Sequence, residues 1–143
     1  MKIEIDQSGR IEETGRDTVI GLTTKKEAFT VKVPAKVKRQ LLEIFRRQGK
    51  PRVFSMVIFG RVIGIAIKKS KFDITDLTID MEYPGHEDLI RSLITSVVGR
   101  EINCWFKSVG KKSKAHYVAY GVFMGRKKVD IVLRLKDIVK YLE

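Results

Sequence analysis

The chain has 143 residues, of which 43% are hydrophobic and 32% charged, and this composition excludes a disordered chain. Its 29 Lys and Arg against 17 Asp and Glu give a formal net charge of +12. That charge favours a polyanionic partner, with nucleic acid first, an anionic membrane surface second, and a charge that serves only solubility as the alternative.

The length predicts a single domain over residues 1–143, with a core large enough to need no disulfide. Cys104 is the single cysteine, so we expect a reducing, cytoplasmic setting and an inert buried thiol. The first residues alternate in charge and lack the apolar run of a signal peptide. The apolar run over 53–67 is shorter than the roughly 20 residues of a membrane span, so it is interpreted as buried core. Of the two polyanionic partners, nucleic acid is the one expected, and no membrane partner is predicted.

The first third of the chain predicts three strands and a helix. Residues 2–6 and 28–33 alternate between polar and apolar, and 18–24 are β-branched, which favours strands. Short connections between them favour an antiparallel meander. Pro34 then suits the start of a helix over 35–48, whose apolar residues recur at helical spacing and whose other face is basic.

The apolar run over 53–67 has two interpretations. Its Val, Ile and Phe residues favour two strands with a hairpin at Gly60-Arg61, whereas its length and continuous apolarity favour a buried helix. We predict the helix, because residues 74–80 already supply the next strand.

The second half of the chain alternates strands and helices. Gly99 caps the helix that follows the fourth strand, and Ser113 is a suitable N-cap for the next helix. The predicted elements are a strand over 74–80, a helix over 86–98, a strand over 101–109, a helix over 113–124, and a C-terminal extension from about 129 with a short strand over 129–133 and a helix over 135–142.

A cluster of acids interrupts this basic chain at residues 77–88. Glu87 and Asp88 suit the first turn of a helix, where the dipole stabilises negative charge. Asp80 and Glu82 precede that helix, so the dipole does not explain them. Asp80 ends a predicted strand at a sheet edge, which is where sites form in open α/β sheets.

The element order resembles the ribonuclease H-like superfamily, which includes ribonucleases H, Holliday-junction resolvases, transposases and integrases. The resemblance covers most of the chain and rests on this order, on Ile5-Asp6-Gln7-Ser8-Gly9 closing the first strand, and on Thr78-Ile79-Asp80 closing the fourth. It implies an α/β fold with a mixed five-stranded sheet, three antiparallel strands followed by parallel ones, and flanking helices. The fourth strand would lie parallel beside the first, on the side away from the hairpin that the first and second strands form.

The resemblance implies a metal site. Asp6 and Asp80 would lie at the same end of two neighbouring strands. Neighbouring strands of a sheet are about 4.8 Å apart. Carboxylates that close repel each other unless a cation bridges them, and Mg²⁺ or Mn²⁺ prefers such oxygen ligands. Two such ions can activate water and stabilise the leaving oxygen of a phosphodiester. The expected function is therefore a metal-dependent nuclease, and the alternative is a non-catalytic basic nucleic-acid-binding module.

Further site residues are less sharply defined. In the superfamily the late helix carries an acid or a histidine near its start, and His116 is the candidate here; a partly buried structural histidine is the alternative. The family's second acid usually comes from the first helix, where Glu43 is the only carboxylate and points away from the apolar face. Glu82 or Glu87 could supply that oxygen instead, and His86 is a further candidate.

Two basic segments are expected to hold the phosphate backbone of DNA or RNA. One precedes the late helix and the other follows it. They contribute Lys111, Lys112, Lys114, Arg126, Lys127 and Lys128.

Overall fold

The structure is a computed structural model that describes residues 1–108 and 113–142. It contains strands, α-helices and one short 3₁₀ turn, Pro51–Val53. The labelled elements are β1 (Lys2–Ser8), β2 (Thr18–Thr23), β3 (Ala28–Val33), α1 (Ala35–Arg47), α2 (Phe54–Ser70), β4 (Asp76–Asp80), α3 (Glu87–Val98), β5 (Asn103–Lys107), α4 (Lys114–Phe123), β6 (Ile131–Val132) and α5 (Leu135–Val139).

The strands form one mixed sheet with the order β5-β4-β1-β2-β3-β6. The predicted α/β class is confirmed, and β1, β2 and β3 form the expected antiparallel meander. As the resemblance implied, β4 lies parallel beside β1 on the side away from β2, and β5 lies parallel beside β4.

The predicted count of five strands is wrong, because β6 pairs in parallel with β3 as a sixth strand. Two contacts hold this short segment against the sheet. The Asp130 carboxylate accepts hydrogen bonds from the Thr30 backbone N–H and hydroxyl, at 2.8 and 3.0 Å. The Leu133 N–H donates to the Lys32 carbonyl at 2.8 Å. These contacts link residues about one hundred positions apart, which local sequence patterns do not report.

Each face of the sheet packs against its own set of helices. Ile3 and Ile5 of β1, with Leu77 and Ile79 of β4, point into the main core, to which α1, α2, α3 and α5 contribute. The alternate residues of these strands point to the other face, because strand side chains have a period of two. There α4 packs across β1, β2 and β3 over a smaller core around Val19.

Residues 54–67 belong to α2 and Val53 ends the 3₁₀ turn before it, so the predicted helix is confirmed and the hairpin is wrong. Gly60, which suggested a turn, and Gly64, one helical turn later, lie instead where α2 meets α3. A Cβ at Gly60 would come 2.9 Å from Leu93 Cβ, and one at Gly64 would come 2.7 Å from Val97 Cβ. Glycine therefore lets the two helices pack closely. Within the described ranges, no helix has both the length and the apolarity to cross a bilayer.

Several predicted local features are confirmed, with shifts of a few residues at element ends. The Ser113 side chain caps α4 by accepting the His116 N–H, and Gly99 ends α3 with φ at 84°. Cys104 is buried, which raises the pKa of its thiol to about 11. β1 extends to Ser8, two residues past the predicted end, and β5 and α5 are shorter than predicted.

Candidate metal centre

Two neighbouring strands bring Asp6 and Asp80 together. Ile5 and Ile79 are register partners in the parallel pair of β1 and β4, so the next residue on each strand is an aspartate at the same edge. Glu82 follows β4 by two residues. The ligand oxygens of Asp6, Asp80 and Glu82 all lie within 4.8 Å of one another, and we call these three residues the acid cluster.

His116 reaches the acid cluster from α4. Its Nδ1 lies 3.1 Å from Oδ2 of Asp6, while the other oxygen of Asp6 accepts the Gln7 backbone N–H at 2.8 Å. The imidazole stacks on Tyr120, with ring centroids 5.8 Å apart and an angle of 10° between the planes. His116 is thus fixed by an acid on one side and an aromatic ring on the other.

A glycine in β2 lets α4 come this close to the sheet. Gly21 is the register partner of Asp6 across the antiparallel pair of β1 and β2. A Cβ at Gly21 would lie 3.1 Å from the Ala115 carbonyl oxygen and 3.2 Å from the Ala119 nitrogen. Because Gly21 has no side chain and faces alanines of α4, the helix lies close enough to the sheet for His116 to contact Asp6.

The acid cluster holds its negative charge at a free-energy cost. Burial raises the pKa of Asp6 to about 6, with a further rise from Asp80, and hydrogen bonds from Gln7 and His116 oppose this. Burial also raises the pKa of Glu82 to about 7, with additional rises from its hydrogen bond to Asp80 and from the Asp80 charge. Neutralising this charge would recover that cost, and a cation among the three carboxylates would do so.

Two residues beside the cluster had no signal in the sequence. Arg10 donates a hydrogen bond to the Glu82 carbonyl at 2.9 Å, and its Nε lies 3.8 Å from Oε2 of the Glu82 carboxylate. The Gln7 side chain is buried and lies close enough to Glu82 to lower the pKa of that carboxyl. Neither atom of the Gln7 amide, however, has a partner of good hydrogen-bond geometry in the described part of the chain. Only contacts between distant segments reveal these roles.

Three candidates from the sequence lie apart from the acid cluster. Glu43 forms an ion pair with Arg47 at 3.5 Å on the exposed side of α1, so it does not supply the second acid of the cluster. His86 is exposed at the start of α3, and Glu87 lies in the first turn of that helix. Among residues 1–108 and 113–142, neither joins the three carboxylates. Glu82 is thus the acid that completes the cluster.

The basic candidates divide into three groups. Lys111 and Lys112 lie outside the described residues. Lys114 is directed towards the turn between β2 and β3, where its Nζ donates to the Thr24 carbonyl at 3.1 Å. Arg126, Lys127 and Lys128 are exposed after α4, and the Arg126 guanidinium lies 5.9 Å from the centroid of Tyr120, the ring on which His116 stacks. Among the described basic candidates, Arg126 is therefore the one whose contacts lead to the acid cluster, through Tyr120 and His116.

No protein-family model, curated protein or solved structure matches this chain. What the site can do therefore follows from its own chemistry. The three side chains of the acid cluster offer only oxygen ligands, which suits hard cations such as Mg²⁺ and Mn²⁺ better than Zn²⁺, since zinc sites favour nitrogen and sulfur.

Proposed function

We propose that this protein is a metal-dependent nuclease with a ribonuclease H-like fold, which hydrolyses phosphodiester bonds of nucleic acids. Asp6, Asp80 and Glu82 would hold Mg²⁺ or Mn²⁺. The observation that carries the proposal is the acid cluster itself, with three oxygen-bearing side chains within 4.8 Å on a chain of net charge +12.

The strand arrangement supports the fold part of this proposal. An antiparallel meander followed by two parallel strands, added beside β1, is the arrangement that the resemblance implied. β6 lies at the opposite edge of the sheet from β4 and β5, so it leaves that arrangement intact.

The residues of the acid cluster fit a divalent cation. The raised pKa values of Asp6 and Glu82 mean that the cluster gains from a bound positive charge, and the buried Gln7 amide beside Glu82 is a further polar group at the same site. A bound Mg²⁺ or Mn²⁺ would supply charge stabilisation at phosphate oxygens and lower the pKa of bound water.

His116 is proposed to move a proton. When Nδ1 donates its hydrogen to Asp6, Nε2 is the nitrogen that takes up a proton from water or returns one to the leaving oxygen. The stack on Tyr120 restricts rotation of the ring, and Arg126 beyond it adds positive charge for the phosphate. These groups provide orientation and charge around the scissile bond.

The test is cleavage by an Asp6→Asn variant. We expect it to lose Mg²⁺- or Mn²⁺-dependent cleavage by a factor of at least about 100 while keeping its circular dichroism spectrum and its affinity for nucleic acid. Cleavage is measured on single-stranded DNA and RNA, their duplexes, an RNA–DNA hybrid and a four-way junction.

The matched control is Glu43→Gln, which removes the carboxylate that lies on the exposed side of α1. It should cleave like the wild type. Full activity of Asp6→Asn would exclude a catalytic role for the acid cluster. A wild-type protein that binds nucleic acid with a steep salt dependence, yet gives no product with either metal, would favour the non-catalytic binding module.

A further inference from the structure

On the sheet face that bears the acid cluster, the described part of the chain leaves β4 and β5 outside the area that α4 covers. The helix lies across β1, β2 and β3, whereas β4 and β5 continue the sheet beyond it. On this face the side chains form cross-strand rows, because register partners lie side by side. The rows are Lys2–Asp76–Asn103, then Glu4–Thr78–Trp105, then Asp80–Lys107 beside Asp6.

Trp105 is the most unusual residue of this open face. It is the only tryptophan of the chain, and 61% of its surface is exposed. It lines a shallow depression of about 430 Å³ together with Lys2, Thr78 and Lys107. A large aromatic ring left in water on an edge strand contributes little to the stability of this fold, whereas exposed rings commonly serve recognition.

The charges around Trp105 favour an anionic occupant. Lys107 is the register partner of Asp80, so it brings a cation directly beside the acid cluster. Lys2 joins the depression to a second one, of about 350 Å³, at the turn between β2 and β3. The charged residues that line the two depressions are the cations Lys2, Lys25, Lys26 and Lys107 and the acids Glu27 and Asp76.

The Asp76 carboxylate is already engaged within the protein. Hydrogen bonds from Thr75 and Asn103 are the largest causes that lower its pKa, and Lys2 and the Trp105 indole add to them. Its negative charge is therefore partly compensated before any ligand arrives.

These features together specify the ligand. Exposed aromatic rings beside lysines bind single-stranded nucleic acid, because bases stack on the ring while phosphates meet the cations. In a duplex the faces of the bases are occupied by stacking on each other, so a ring on an open sheet can stack only on an unpaired base. Charge and stacking thus favour one class of occupant, an unpaired strand.

We propose that the open sheet face of β4 and β5 binds a single-stranded stretch of nucleic acid, with Trp105 stacked on an unpaired base and Lys107 on a phosphate beside the acid cluster. This inference rests on the proposed function and makes it more specific, because it predicts cleavage within or next to unpaired nucleotides. The strand would continue over Lys2 towards the turn between β2 and β3.

Intrinsic fluorescence tests this directly, because all tryptophan emission comes from Trp105. The Asp6→Asn variant is titrated in EDTA with a thymidine oligomer of about 12 nucleotides and with a duplex of the same length. We expect the single strand to quench the emission by about half or more and the duplex to leave it nearly unchanged. Equal quenching by both, or none by the single strand, would overturn the inference.

Affinity for a labelled oligomer provides the second measurement. Trp105→Ala should weaken binding about tenfold and Trp105→Phe should restore most of it, because stacking is worth about 1–3 kcal/mol per base. Lys107→Ala should reduce the slope of log affinity against log salt by about 0.7. The matched control is Tyr117→Ala, which removes an equally exposed ring, 62%, from α4.

The control should bind like the parent protein. If Trp105→Ala binds within about twofold of the parent, or if Tyr117→Ala weakens binding as much, the stacking site is not on the open sheet face. These binding measurements need neither metal nor cleavage. A negative binding result with normal wild-type cleavage would therefore overturn the stacking site alone, and binding without cleavage would overturn the nuclease function alone.

Discussion

Two charged sites, one fully buried and one partly buried, lie close to the loop between β1 and β2, and they differ in how their charges are compensated. Lys38 of α1 is fully buried, and its Nζ donates to the Arg10 carbonyl at 3.0 Å, the Glu13 carbonyl at 2.7 Å and the Thr18 hydroxyl at 2.9 Å. An ammonium group has three protons, so every donor has an acceptor. In the acid cluster, by contrast, carboxylates face one another.

This difference separates a structural site from a candidate functional one. Burial lowers the pKa of Lys38 to about 8, so the group remains charged at neutral pH, with its hydrogen bonds complete inside the protein. Burial and the charge of Asp80 raise the pKa values of Asp6 and Glu82, although His116 and Arg10 compensate part of their charge, so a bound cation would still stabilise the cluster. Perturbed acids that the fold neutralises only in part are typical of functional sites.

The largest effect on stability is expected at Lys38. Replacing it in Lys38→Met leaves two carbonyls and a hydroxyl without their buried donor, and we expect the free energy of unfolding to fall by about 3–5 kcal/mol. Urea unfolding followed by circular dichroism measures this change. Lys36→Met, at an exposed position on the same helix, is the control and should change stability by less than about 0.5 kcal/mol. Equal stability of the two variants would show that Lys38 does not anchor the loop.

Replacing Glu82 is expected to raise the free energy of unfolding rather than lower it. Its pKa in the folded protein, about 7, lies above the ordinary 4.5, so the folded state binds more protons between these values and the free energy of unfolding falls as pH rises through this window. The Glu82→Gln variant does not lose stability in this way as pH rises, because its amide does not ionise. The amide can still donate a hydrogen bond to Asp80. In EDTA the variant should be more stable than wild type by about 1–3 kcal/mol near pH 8, with the difference vanishing near pH 4.

Thermal unfolding at a series of pH values, with and without metal, measures both parts of this prediction. Mn²⁺ should raise the midpoint of wild type near pH 8 and raise that of Glu82→Gln much less, because one ligand is gone. Glu43→Gln serves again as the control and should follow wild type at every pH. If Glu82→Gln were less stable than wild type in EDTA near pH 8, Glu82 would belong with Lys38 as a structural group.

The sequence could predict the parts of this molecule that depend on local pattern. Alternation and turn residues located β1, β2 and β3, and an acid at the end of each of two strands suggested the pairing of Asp6 with Asp80. The pattern was ambiguous at Gly60, where a glycine in an apolar run left a hairpin as the alternative to the predicted helix, and the reason for this glycine is its contact with α3. Arg10 and Gln7 beside Glu82, and β6 beside β3, depend on contacts between distant segments, which periodicity does not encode.

The smallest and most localised effect is expected at Gly21, which sets the distance between α4, with His116, and the strand that bears Asp6. In Gly21→Ala the new methyl meets the backbone of α4 at 3.1 and 3.2 Å, so the helix must shift away from β2 by a few tenths of an ångström. We expect a loss of about 1 kcal/mol in stability and a drop in cleavage of about tenfold, because His116 then lies farther from Asp6. Gly15→Ala, where the added methyl meets nothing within 4 Å, is the matched control and should leave both stability and cleavage unchanged. If Gly21→Ala lost stability but kept the cleavage rate, the approach of α4 would matter for packing alone, and the contact between His116 and Asp6 would have to be set by other residues.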